Sequence, residues 1–133
     1  MPQLDLQALS DQSALHRALG VRIERSTGGV AIIASVDSDY AVDAGASIVH
    51  GGIVATLLDT AATFALIAET DHDWVTIDLR VDYLRPTPLD AVTVRGEVLR
   101  AGKRIGRSRA ALYDADGKLC ATATGTFAPP ARA

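Results

Sequence analysis

Apolar and polar positions along the 133-residue chain change period several times, and each change marks an element. Leucines at 4, 6, 9, 15 and 19 space one amphipathic helix over about residues 4–19, with Gly20 as its C-cap. "VRIERSTGG" and "VAIIASVD" read as two strands around a Ser-Thr-Gly-Gly turn, a hairpin. Residues 37–48 form a loop leading into a run that is apolar almost all round, from about Gly51 to Glu69. A helix with that composition is buried on most sides.

Strict alternation follows. Val75, Ile77, Leu79, Val81 and Tyr83 alternate with Thr76, Asp78, Arg80 and Asp82, so one face rests on a core and the other meets solvent or a partner. Pro86 and Pro88 end the strand. "AVTVRGEVLR", "RIGRSRAALYD" and "KLCATATGTFA" supply three more strands, joined by Ala-Gly-Lys and Ala-Asp-Gly turns. Residues 129–133 are a frayed tail. About six strands and one long helix resolve economically as an α+β two-layer fold, a curved antiparallel sheet wrapped around the central helix. A free sheet edge and a helix face of small residues both invite self-association.

The length fits one domain spanning residues 1–133. Residues are 48% hydrophobic and 22% charged, the balance of a globular protein with a proper core. A net charge of -3, no long basic run and few aromatics argue against a nucleic-acid partner. The single cysteine, Cys120, excludes an intrachain disulfide and multi-thiolate metal sites, and no other ligand set with metal spacing accompanies His50. The first residues lack a secretory pattern, and the central apolar run carries Asp59 and is too short for a membrane span. A cytoplasmic protein with no membrane association is expected.

Chemistry concentrates in "VHGGIVATLLDTAATFALIAE", residues 49–69. A helix N-terminus presents free N–H groups and the positive end of the helix dipole, and glycine lets a ligand carbonyl approach them closely. Gly51 and Gly52 therefore read either as an oxyanion hole or as a tight loop-to-helix turn. His50 suits a positioning role better than proton transfer. Asp59 is the sharper signal, because an ionised carboxylate in an apolar helix costs several kcal/mol unless it is solvated, paired or functional. No Lys or Arg lies three or four residues away on the helix, which leaves a tertiary bridge to a strand arginine such as Arg80, a wet interface, or chemistry. Gly51 and Asp59 are eight residues apart, about 12 Å along a helix at about 1.5 Å per residue. One carbonyl cannot touch both. If they share a site, the acid comes from a second subunit, with two antiparallel helices across a two-fold axis.

Three segments together, "HGGIVATLLDTAA", "VTIDLRVDYLRP" and "RAGKRIGRSRAALYDADGKLCATATGTFA", resemble the hotdog-fold acyl-CoA thioesterases of the phenylacetic-acid-degradation (PaaI) type. The likeness runs over roughly residues 14–128. It implies hydrolysis of an acyl-CoA thioester without a cofactor, by a homodimer or homotetramer. By that resemblance Asp59 is the catalytic carboxylate, acting as nucleophile or general base, and Gly51 is the backbone donor to the thioester carbonyl. His50 supports the loop and thioester, and Thr63 and Thr76 hold water or substrate. Gly52 borders the substrate, while Arg85, Lys103 and Arg104 are the cations for the CoA phosphates. One departure stands out. Many relatives carry Asn or Gln six residues before the histidine, where this chain has Ala44; Asp43 and Ser47 are the nearby polar substitutes. The alternatives are a non-catalytic acyl-CoA-binding module and, further off, a hotdog enoyl-CoA hydratase or dehydratase.

Overall fold

The computed structural model describes residues 3–131. Two short helices, α1 (Leu6–Ser10) and α2 (Ala14–Ala18), precede a hairpin of β1 (Arg22–Ser26) and β2 (Gly29–Ser35). The central helix α3 (Gly51–Thr70) is followed by β3 (Val75–Tyr83), β4 (Ala91–Ala101), β5 (Gly106–Tyr113) and β6 (Leu119–Ala128). The six strands form one antiparallel sheet in the order β1-β2-β4-β5-β6-β3, so β1 and β3 are its edges.

The sheet closes over α3, whose Leu57, Leu58, Ala61, Ala62, Ala65 and Leu66 are fully buried. Contrary to the expectation that this run is too short, α3 is by length and composition long and apolar enough to span a membrane, yet most of it is buried inside the fold as the core helix. Close contact is enforced at Gly96 of β4: a Cβ there would sit 2.1 Å from the carbonyl oxygen of Ala61. Beside it the Ser108 hydroxyl of β5 donates to the carbonyl of Ala62 at 2.8 Å. The helix ends at Asp71, which adopts the left-handed conformation (φ 57°) and returns its N–H to Ile67.

Two expectations need correction. The N-terminal helix over residues 4–19 is two helices. Ser13 accepts from the His16 N–H at 3.2 Å and so caps a new helix, as Asp5 caps the first through the N–H of Ala8. Leu6 and Leu19 are buried while Leu4 and Leu15 are exposed, so the leucines do not form one face. Gly20 does follow α2 with φ of +63°.

The second correction is in β3. Thr76 pairs with Phe127 and Asp78 with Thr126, which leaves Ile77 as an extra residue in a bulge. Thr76 therefore faces the helix on the same side as Leu79 and Val81, and Val75 and Ile77 are turned out, more than half exposed. Similar irregularities at Leu99 and Cys120 help bend the sheet. The last tail residues, 132 and 133, lie outside the described residues.

Candidate active site

The loop after β2 delivers His50 as the N-cap of α3. Its ring Nδ1 accepts from the Gly52 N–H at 2.8 Å, and its own N–H donates to the Tyr40 carbonyl at 2.8 Å. With Nδ1 engaged as an acceptor, the neutral ring carries its proton on Nε2 and is a donor rather than a base. Gly52 leaves room for this cap, because a Cβ there would stand 3.0 Å from the imidazole.

Gly51 is the first helical residue, and among the described residues its N–H has no acceptor. It has no positive φ, and a Cβ would make only ordinary contact with Tyr83, 3.5 Å from its hydroxyl oxygen. Neither backbone conformation nor packing within the chain demands glycine here.

Asp59 lies two turns further on and is half-buried. Its Oδ1 accepts from the Thr76 hydroxyl at 2.7 Å, across from α3 to β3. No cation reaches it among the described residues. Arg80 faces away, with 79% of its side chain exposed and Asp82 3.3 Å distant, so the tertiary bridge entertained for Asp59 is absent. Thr63 donates instead to the main-chain carbonyl of Asp59 at 2.7 Å, as a helix hydroxyl commonly does, and does not touch the carboxylate.

Tyr83 is the residue the sequence left unmarked. At the far end of β3 its hydroxyl donates to the Gly51 carbonyl at 2.7 Å, pinning the start of α3. The alternation did place Tyr83 on the inner face, at the end of a strand running past the helix start; that was the available signal. Beside it opens a groove of about 480 Å³ lined by Val42, Ile48, Val54, Leu84 and Arg85. Lys103 and Arg104 are elsewhere. They sit in the β4–β5 turn, separated from the Arg85 end by the length of β5, about 24 Å at about 3.4 Å per residue. Asp43, Ala44 and Ser47 are all exposed, and their side chains make no hydrogen bond among the described residues.

Asp59 and Gly51 thus occupy one continuous helix, about 12 Å apart at about 1.5 Å per residue. Within one chain the two cannot meet at a single atom. A curved six-stranded sheet around one helix, with the acid in that helix and the His-Gly-Gly start at its N-terminus, places the molecule among hotdog-fold proteins.

The family model described as Thioesterase superfamily matches residues 46–121, and the chain belongs to that superfamily. It is 35% identical over 128 residues to the medium/long-chain acyl-CoA thioesterase YigI of Salmonella typhimurium, an alignment covering 84% of this chain and 83% of the relative. An X-ray structure of a thioesterase-superfamily protein superposes with TM-score 0.89 at 28% identity, covering 94% of this chain and 96% of that one. The Escherichia coli PaaI protein, from the phenylacetic acid degradation operon, superposes with TM-score 0.82 at 24% identity over 94% of this chain and 90% of its own. That last likeness concerns the fold alone. The expected hotdog fold and the resemblance to its acyl-CoA thioesterases both hold.

Proposed function

We propose that this protein hydrolyses acyl-CoA thioesters to a free acid and CoA, at sites shared between two subunits of a homodimer. The observation that carries the reading is the pairing of Asp59, an acid with no cation in an apolar helix, with a glycine N–H left open eight residues upstream. In each site the Gly51 N–H of one subunit polarises the thioester carbonyl and the partner's Asp59 faces its carbon. As a general base, the carboxylate takes a proton from water while the new C–O bond forms; the C–S bond then breaks and the proton leaves with the CoA thiolate. As a nucleophile, it attacks the thioester carbon and the C–S bond breaks to release CoA thiolate; water then opens the resulting mixed anhydride to the free acid and the restored carboxylate, its proton going to the thiolate. Thr76 fixes the carboxylate rotamer in either route, and His50 offers its Nε2 proton to the thioester.

The groove beside Gly51 suits the apolar parts of the substrate, with Gly52 at its rim and Arg85 toward the CoA phosphates. Lys103 and Arg104 fit this picture only from the partner subunit, whose antiparallel placement brings its β4–β5 turn to the Arg85 end. Thr63 shapes the helix around Asp59 rather than contacting water. The medium/long-chain specificity named for the Salmonella relative supports testing such acyl groups first. No added cofactor is invoked, and a cytoplasmic setting suits a CoA ester.

The test is CoA release from a panel of acyl-CoAs by the native protein and Asp59→Asn. Turnover that collapses in the variant supports the reading. Acyl-CoA binding without turnover in either protein would instead favour the binding module, for which Ala44 is the argument. Equal turnover in both would assign the chemistry to another group.

A further inference from the structure

Tyr83, the Gly51–Gly52 peptide and His50 form one uninterrupted chain of hydrogen bonds at the start of α3. The Tyr83 hydroxyl donates to the Gly51 carbonyl at 2.7 Å. That carbonyl and the Gly52 N–H are the two ends of a single peptide group, and the N–H donates to Nδ1 of His50 at 2.8 Å. A carbonyl only accepts and an amide N–H only donates, so every proton in the chain points the same way. The neutral His50 ring is left with its one proton on Nε2.

The surrounding structure fixes the first link. Tyr83 pairs with Ala121 at the end of β3, and the next residues, Leu84 and Arg85, both donate to the Cys120 carbonyl, at 2.9 and 3.1 Å. The aromatic ring lies against Gly51: a Cβ on that glycine would stand 3.5 Å from the hydroxyl and 3.6 Å from two ring carbons. Tyr83 is 55% exposed, yet its hydroxyl is aimed at the helix start instead of at solvent.

Forming α3 does not call for this bond. At a helix N-terminus the N–H groups lack partners, whereas the carbonyls are taken up by the next turn. The Tyr83 bond uses the second lone pair of the Gly51 carbonyl and is surplus to the helix ladder. Its effect falls on the peptide group instead. Consecutive hydrogen bonds polarise one another. A donor on the Gly51 carbonyl makes the Gly52 N–H a better donor, and a better donor on Nδ1 makes the Nε2–H of His50 a better one in turn. The same link keeps the peptide plane from tilting away from the imidazole.

We propose that Tyr83 is a positioning residue, acting through the Gly51–Gly52 peptide to hold His50 with its Nε2 proton presented to the site. The inference rests on the thioesterase reading, in which that proton meets the substrate carbonyl, and adds to it the residue that aims the donor. Tyr83 has its own proton committed to Gly51, so it is neither the acid nor the base of the reaction.

Tyr83→Phe keeps the ring against Gly51 and removes only the first link. kcat should fall about three- to tenfold, the size of one ordinary hydrogen bond, with KM and melting temperature near native. His50→Asn supplies the comparison, because asparagine caps a helix well and can still accept from the Gly52 N–H but has no imidazole. In that background Tyr83→Phe should cost less than about twofold, since residues acting as one unit are not additive. A full loss in both backgrounds would make Tyr83 a brace independent of His50 and overturn the proposal. So would a Tyr83→Phe kcat as high as native.

Long-range proton–nitrogen NMR of the imidazoles reads the same chain without turnover, with the His50 signals identified as those missing from His50→Asn. The neutral ring should be the Nε2–H tautomer in native protein and a mixture in Tyr83→Phe. Mixing in a protein that releases no CoA would sustain the chain and sink the thioesterase reading. Unchanged ring signals in an active enzyme would overturn the chain and leave that reading standing.

Discussion

Thr76 on β3 gives its hydroxyl proton to Oδ1 of Asp59 on α3 across 2.7 Å, and a one-residue bulge at Ile77 makes this possible. Without the extra residue, Thr76 would face outward with Asp78 and Arg80. The bulge is thus tied to the position of the acid in the middle of the helix. A hydrogen bond to a charged group contributes about 1.5–3 kcal/mol. Thr76→Val keeps the shape and removes the donor, so kcat should fall roughly ten- to hundredfold, at about 1.4 kcal/mol per decade. Steady-state kinetics on the preferred acyl-CoA check this. A kcat within twofold of native would detach Thr76 from catalysis.

Gly51→Ala separates activity from folding. The added methyl meets the Tyr83 hydroxyl at an ordinary 3.5 Å, and alanine narrows the unfolded chain more than glycine does. Thermal stability should hold or rise slightly. The methyl borders the open N–H, however, so kcat/KM should drop at least about tenfold, part of the roughly 100- to 1,000-fold attached to such a donor. Melting curves and kinetics on one preparation decide it. An active Gly51→Ala would reduce the glycine to a turn residue.

Much of this architecture was legible because hydrophobic period encodes it directly. The limits of α3, the six strands and the turns at Gly28 and Gly117 follow from spacing and from glycines that the structure gives positive φ. Asp59 stood out by being charged where nothing nearby could pair it. What stayed hidden depends on a single residue's offset or on tertiary direction. Perfect alternation from Val75 to Tyr83 conceals the bulge, since an extra apolar residue leaves the pattern intact. Ser13 breaks the N-terminal helix through one capping bond that leucine spacing cannot register. Whether Arg80 turned toward Asp59 or away was a matter of strand face, and the outward face won.

Gly96→Ala probes the packing of helix on sheet away from the proposed chemistry. A Cβ at 2.1 Å from the Ala61 carbonyl oxygen meets helix backbone, which cannot swing aside as a side chain can, so α3 and β4 must separate. Overpacking of this kind typically costs about 1–3 kcal/mol. Because α3 carries both Gly51 and Asp59, the displacement should also lower activity. Urea midpoints compared with native protein give the magnitude, and an unchanged midpoint would show that the layers move apart freely.

His16 makes stability depend on pH with a definite sign. Its Nε2 lies 3.3 Å from the Thr60 hydroxyl and its Nδ1 3.1 Å from that of Ser10, with the Phe64 ring edge-on at 6.2 Å. Thr60 already spends its proton on the Thr56 carbonyl at 2.7 Å, so Nε2 must donate to Thr60 and Nδ1 accept from Ser10. Burial lowers the His16 pKa below its ordinary 6.5, opposed only in part by the Ser10 backbone. A lowered folded-state value means the unfolded chain binds the proton more readily. The contribution of His16 is therefore complete above the unfolded value and is lost as pH falls through the folded one. Urea midpoints should decline from pH 7 to pH 5 more steeply for native protein than for His16→Gln, which retains polar contacts without titrating. Parallel slopes would mean that the clamp between α2 and α3 is indifferent to the proton.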